Sequence, residues 1–320
     1  MELAALKAFI EVAREGSFSL AAETLYLTQP AVSKRVAGLE QELAVRLFDR
    51  VGRQIFLTEA GRHLLPRAEQ MLQEEADIRR SLSNLSGEVG GRLAMATSHH
   101  IGLHRLPPTL RTYTERFPGV ALDIQFMESE RACLAVAHGE LELAVITLPL
   151  ESIENLTARE IWHDPLCVAV GRDHPLAKTG RLSLGELVAY PAVLPSRGTY
   201  TRTLLEQAVS AHRLQVNCTL ETGYLETLKT MTGIGLGWGL LPEILLDDQL
   251  TRLEVPELAL SRSLGMVTHH KRTLSNAAIA MTQLLTTERK GDKRVFDLMK
   301  DFGTSKSTKI DSIFDSLLVP

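Results

Sequence analysis

No apolar run in this 320-residue chain is long enough to cross a bilayer. The opening stretch MELAALKAFIEVAREGSFS is amphipathic and carries acidic residues. It lacks the basic start and small-residue cleavage site of a signal peptide, so a cytoplasmic protein without membrane partners is expected. Cysteine is scarce, with Cys133, Cys167 and Cys218 far apart and odd in number. That excludes a disulfide framework and fits free thiols in a reducing compartment. Cys167, inside LCVAV, reads as a buried, inert thiol. Bulk positive charge is also missing: 35 basic residues stand against 39 acidic ones, a net charge of −4. Residues 1–58 hold seven of each. A uniformly basic nucleic-acid clamp is therefore excluded, and any DNA contact must rely on local cations and on dimerisation. No G-x-S-x-G elbow and no P-loop occurs. What is present is ordinary for globular proteins, 44% hydrophobic and 23% charged residues, in a chain long enough for two or three domains.

The most informative stretch is GSFSLAAETLYLTQPAVSKRVAGLEQELAVRLFDRVGRQIFLTEAG, residues 16–61. Ala21, Ala22 and Leu25 share one side of a short helix that opens after Gly16-Ser17. Tyr26-Leu27-Thr28 is a turn, Thr28 an N-cap, and Pro30 is tolerated in a first helical turn. Val32, Val36, Leu39 and Leu43 then repeat with the period of one buried helical face. The opposite face carries Gln29, Ser33, Lys34 and Arg35. Such a division suits a recognition helix, whose apolar side holds it to the domain while short polar or basic groups reach base edges and phosphates. Arg50 to Leu57 reads as a β-wing, with Gly52 permitting a tight hairpin and Arg50 and Arg53 near its tip. The same helices also fit a three-helix cap with no DNA role.

The words AAETLYLTQPAVSKRVAGLEQEL, RLFDR and LTEAG, in this order and spacing, resemble the N-terminal domain of the LysR-type transcriptional regulators. The signature is concentrated in the first 61 residues, while the architecture it implies reaches to about residue 290. The resemblance implies an α/β protein with an N-terminal winged helix-turn-helix, a long linker helix and a two-lobed effector domain like a periplasmic binding protein. The expected domains are 1–58 for DNA binding, 59–88 for the dimerisation helix, and 89–290 for the effector domain. Its lobe I would be 91–163 plus 266–290 and its lobe II 164–265, followed by a tail at 291–320. Ser17, Thr28, Gln29, Pro30, Ser33, Lys34, Arg35, Arg50 and Arg53 are the implied DNA contacts.

The residue pattern supports this layout. From Glu59 to Ser86, Leu64, Leu65, Ala68, Met71, Leu72, Ile78, Leu82 and Leu85 form a broad apolar stripe that an isolated helix cannot bury alone. Gly61 and Pro66 are blemishes early in that helix. Beyond Gly87, strand-like runs at 92–96, 120–126, 143–146, 166–170, 192–194, 216–219, 236–240 and 264–268 alternate with helical ones at 106–117, 131–138, 203–212, 225–232 and 275–285. Strands separated by helices imply parallel sheets. The crossings between lobes are expected near Trp162–Pro165 and Arg262–Met266.

A ligand of such a fold binds beyond the carboxyl ends of the strands. Thr97, Ser98, His99, Ser129, Thr147, Ser196, Arg197, Thr199 and Tyr224 are the expected effector contacts. Arg197 is the one cation among them and suits a carboxylate or sulfonate. His100 and His104 form an i, i+4 pair, but nothing local completes a metal site, and no metal or cofactor is expected. The glycines of GIGLGWG follow a helix and precede a strand, the wrong order for a dinucleotide fingerprint, and Gly233 reads as a helix C-cap. His269-His270-Lys271-Arg272 reads as a solvated cluster. In the tail, GTSKSTK reads as a flexible linker and IDSIFDSLLVP as a short amphipathic piece. The expected function is a sequence-specific DNA-binding regulator controlled by a small organic anion. The resemblance adds promoter DNA, homodimer or homotetramer assembly and RNA polymerase as partners. The alternative is a small-molecule enzyme with an accessory helical domain, which would need a nucleophile or acid–base pair in the crevice.

Overall fold

A computed structural model describes residues 1–51 and 54–287, apart from the side chains of Arg50 and Val51. Gly52, Arg53 and the expected 291–320 tail lie outside the described residues. Three helices open the chain: α1 (Leu3–Glu15), α2 (Phe18–Thr24) and α3 (Gln29–Leu43). Leu6, Phe9 and Val12 of α1 meet Phe18, Ala21 and Ala22 of α2 and Val32, Val36 and Leu39 of α3 in one apolar core. The expected fourth member of the α3 stripe, Leu43, is instead exposed, because the helix stops there and Ala44 turns left-handed at φ 54°. An antiparallel hairpin follows, β1 (Phe48–Val51) and β2 (Gln54–Leu57), with Val51 paired to Gln54.

The long helix α4 (Glu59–Asn84) starts on Thr58, whose hydroxyl accepts a hydrogen bond from the Gly61 N–H at 3.0 Å. Gly61 is a packing requirement rather than a blemish: a Cβ there would lie 2.3 Å from the Leu47 carbonyl oxygen. Among the described residues no helix is long and apolar enough to cross a membrane.

Two sheets follow. The first is built from β3 (Gly91–Thr97), α5 (His99–His104), α6 (Pro107–Arg116), β4 (Val120–Phe126), α7 (Ser129–Ala137) and β5 (Leu143–Thr147). Strands β4, β3 and β5 run parallel. The 16-residue β6 (Leu156–Gly171) then leaves this sheet and enters the second. That sheet adds α8 (Leu184–Val188), β7 (Ala192–Pro195), α9 (Tyr200–Ala211), β8 (Cys218–Thr222), α10 (Leu225–Gly233), β9 (Trp238–Pro242) and β10 (Leu250–Leu253). Strand β11 (Ser261–His269) returns to the first sheet, and helix α11 (276–287) closes the described chain.

The sheets are mixed, not parallel throughout. β11 is antiparallel to both β5 and β6, and β9 and β10 are antiparallel to β6. Two strands that carry the chain out to a second lobe and back necessarily run in opposite directions. The pairing from Ser261↔Pro165 to His269↔Leu156 makes the crossing a hydrogen-bonded ladder. Each lobe has its own core, one around Leu93, Tyr113 and Leu264 and one around Leu194, Leu205 and Trp238. Helix α10 ends on Gly233, but the left-handed residue that follows is Gly235, at φ +88°. The cap is Ile234, one residue after the expected Gly233.

The helical region at the start of the chain is tied to the first lobe of the same chain. Arg14 of α1 reaches Glu69 of α4 at 3.3 Å and Glu140, after α7, at 2.9 Å. Arg80 of α4 donates to the Thr273 carbonyl at 2.8 Å, and Asn84 to that of Leu274 at 2.9 Å. Arg272, expected on a solvated surface, is instead largely covered and faces Asp77 of α4 at 3.5 Å.

Candidate functional site

Two regions gather the chemistry-bearing side chains. The first is the outer face of α3. Burial of Val32, Val36 and Leu39 forces the opposite side of the helix into solvent, where Gln29 and Lys34 are exposed and Ser33 and Arg35 half-buried. The Gln29 amide donates to the Ser33 hydroxyl at 2.8 Å, so the two expected base-reading groups are held side by side. Lys34 and Arg35 enter no ion pair among the described residues, which leaves both cations available to an external anion. Thr28 occupies the N-cap position, but its hydroxyl makes no capping bond; Pro30 lies in the first turn. Ser17 caps α2 through Leu20 N–H at 3.4 Å. The backbone of Arg50 pairs with Ile55 in the hairpin, whereas Arg53 lies outside the described residues.

The second region is a cavity of about 320 Å³ between the lobes. Four helices begin at its rim: α5 after Ser98, α7 at Ser129, α9 after Thr199 and α10 after Tyr224. Each helix points the positive end of its dipole at the cavity, which favours a negative guest, but in α9 the Tyr200 and Arg202 N–H groups are already taken by Glu130 and Thr199. Of the expected contacts, Ser98, His99, Ser129, Thr147, Thr199 and Tyr224 line the cavity. The Ser129 hydroxyl accepts from Thr147 N–H at 3.2 Å, joining two of them. His99 packs edge-on against Tyr224 of the opposite lobe, with ring centroids 4.9 Å apart.

Thr97, Ser196 and Arg197 are not among the lining residues. Thr97 is buried and its hydroxyl donates to the Val145 carbonyl at 2.8 Å, stitching β3 to β5. The parallel pairing of β7 with β8 sets Pro195 opposite Thr222 and brings Glu221 alongside the loop after β7. Arg197 donates to Glu221 at 3.2 Å instead of entering the crevice.

The cations of the cavity are Arg131 and Arg262. Arg262 on β11 stands opposite Asp164 on β6 in the crossing ladder. Its Nε donates to Asp164 at 2.8 Å and its Nη1 to the Thr201 hydroxyl at 2.9 Å, while Nη2 has no partner. Arg105 adds a second cation 3.5 Å from Asp164. Burial pushes the Arg262 guanidinium below its ordinary range, and Asp164 opposes that shift. His100 is buried beside this cluster with neither ring nitrogen bonded. Burial first, and then the Arg262 charge, hold it down to about 3. Glu130 accepts a hydrogen bond from Tyr200 N–H of the opposite lobe at 2.5 Å, and burial raises its pKa. No local sequence signal marks Arg262, since its partner lies 98 residues away. Arg131 had a signal, its place two residues after Ser129 in the first turn of α7. His104 meets Glu226 of the other lobe at 2.7 Å, a carboxylate 122 residues distant.

These arrangements match known proteins. The family model described as bacterial regulatory helix-turn-helix protein, lysR family, matches residues 3–62, and that described as LysR substrate binding domain matches residues 86–290. An HTH-type transcriptional regulator from the ibpB-leuC intergenic region of Azotobacter vinelandii is 68% identical over 108 residues, 34% of this chain and 75% of that protein. The HTH-type transcriptional regulator YeiE of Escherichia coli K12 is 32% identical over 278 residues, 85% of this chain and 92% of that protein. Among solved structures, full-length CbnR complexed with its target DNA superposes with a TM-score of 0.59 at 19% identity, covering 90% of this chain and all of that one (100%).

Proposed function

The chain belongs to the LysR family of bacterial regulators, and from that premise we propose that α3 reads duplex DNA while the interlobe cavity senses a small organic anion. It is a DNA-binding transcriptional regulator with an effector-binding domain; both named relatives are regulators rather than enzymes. The observation that carries the DNA reading is the solvent side of α3, where Gln29 and Ser33 are bonded to each other and Lys34 and Arg35 enter no ion pair among the described residues. Gln29 and Ser33 address base edges in the major groove; Lys34 and Arg35 address phosphates. CbnR was solved on its target DNA, and this chain shares its fold.

The domains are assigned as 1–58 for the reader, 59–88 for the linker helix, and 89–290 for the effector domain. Within the last, lobe I is 91–163 plus 266–290 and lobe II 164–265. The exposed apolar stripe of α4 takes a second copy of the chain, which sets two readers on a two-fold site. The working place is the cytoplasm, and assembly proceeds to a homodimer or homotetramer that contacts RNA polymerase. Convergent helix N-termini, Arg131, Arg262 and the hydroxyls of Ser98, Ser129 and Thr199 support a carboxylate or sulfonate as effector. That anion shifts the regulator only if it favours one arrangement of the lobes over another.

Fluorescence anisotropy with duplexes from upstream of the gene encoding this chain tests the DNA reading. Sequence-preferring binding at moderate salt is expected, and Lys34→Ala should weaken binding to every duplex alike while flattening the salt slope by roughly one. Indifference to sequence, or a Lys34→Ala variant that binds as well as the parent, would remove α3 from the interface.

A further inference from the structure

The turn that leads into α3 holds an aromatic side chain with nothing to pack on. Tyr26 is 97% exposed, the highest value among the large hydrophobic residues that are described. It is also one of four non-glycine residues with positive φ among the described residues, at 53°. That conformation closes α2: Leu27 N–H bonds to the Ala22 carbonyl at 2.9 Å and Tyr26 N–H to that of Glu23 at 3.1 Å. Glycine or asparagine satisfies this geometry at lower cost, because a bulky Cβ substituent crowds the backbone in the left-handed region. Leu25 and Leu27 on either side are drawn into the core of the helical domain, so the tyrosine between them is held outward. The fold therefore gains nothing from the phenol ring at this position.

We propose that Tyr26 is a DNA contact, its hydroxyl donating to a backbone phosphate beside the groove that α3 enters. The inference rests on the reading of α3 as the DNA-facing helix, and it adds a neutral contact to the cationic ones. Thr28 and Gln29 follow Tyr26 at the start of α3, so the backbone anchors the ring within three residues of the proposed reading face. Phosphate contacts from tyrosine hydroxyls fix position and carry no sequence information directly. A neutral donor also displaces no condensed counterion, unlike lysine or arginine.

The test uses the full chain with two labelled duplexes, one enriched from a random pool by the parent protein and one scrambled. Tyr26→Asn relieves the backbone and should raise the melting temperature by about 2–4 °C. The same change should weaken binding to both duplexes by about threefold to tenfold, with the salt slope unchanged. Tyr26→Phe should reproduce most of that loss, since it removes only the hydroxyl. The assignment is overturned if Tyr26→Asn binds both duplexes as the parent does, if only the enriched duplex is affected, or if the salt slope falls. A lower melting temperature would reassign the ring to the fold, and an altered sedimentation coefficient would reassign it to contact between copies. Failure of the parent chain to prefer any duplex would instead strike the reading of α3, and this inference with it.

Discussion

His100 is a buried base that nothing bonds. With its folded pKa held down to about 3, it stays neutral in the native state across the physiological range. In the unfolded chain it titrates near its ordinary value of about 6.5. Its contribution to stability is therefore whole above pH 6.5 and is lost as the pH falls toward 3, because only the unfolded state takes up the proton. Between pH 6.5 and pH 5 that loss is about 1.6 kcal/mol. Denaturant titrations at the two pH values should show a smaller drop for His100→Gln than for the parent chain. Equal drops would mean that His100 is protonated in the native protein. At this scale the sequence told most about α3, where polar and apolar positions alternate with helical period. It told least about Asp164 and Arg262, which neither local pattern nor spacing connects. Arg197 was a misleading cation for the same reason: Glu221, on the neighbouring strand, takes it.

Helix α4 divides its duties by face. Leu64, Leu65 and Leu72 pack on the helical domain of the same chain, and Asp77, Arg80 and Asn84 hold the first lobe. Met71, Ile78, Leu82 and Leu85 remain exposed, at spacings of seven, four and three residues. That spacing suits the seam of the helix pair proposed above. Ile78→Glu or Leu82→Glu should shift sedimentation toward the monomer, with at least about a tenfold weaker association for each 1.4 kcal/mol lost. Unchanged association would place the interface elsewhere. Elements with strong period or composition were legible, with β4 placed at 120–126 from sequence as it is in the structure. The first half of β6 and all of β10 were not, because LTAREIWHD and LTRL mix charges with apolar residues and gain strand form from their neighbours in the sheet. Short α5 and α8 have too few residues to show a period, and only α8 is capped by a side chain, that of Ser183.

The whole molecule holds its crevice with side chains contributed from both walls. His104 to Glu226, His99 to Tyr224 and Tyr200 N–H to Glu130 all join the lobes. A double-mutant cycle on His104→Ala and Glu226→Ala should give a coupling of roughly 0.5–1 kcal/mol in denaturation, modest because both groups are partly exposed. A coupling of zero would show that this pair does not help close the crevice. Alternating strand and helix signals made the α/β class legible, whereas the two-lobed layout and its crossings were implied by the family resemblance and not by any local pattern. The mixed strand directions were not legible, since hydropathy carries no sense of direction.

The crossing itself sets the character of the motion. Two loose connectors would let the halves swing freely, but here β6 and β11 are laced together by a ladder that runs on into both walls. Such a joint behaves as a leaf spring: it twists by small angles and recoils, and it resists sliding. On the proposed reading, a captured anion would then change the torsion of the joint rather than switch it between distant shapes. The useful amplitude has to be gained further out, along the lever arm that α4 provides.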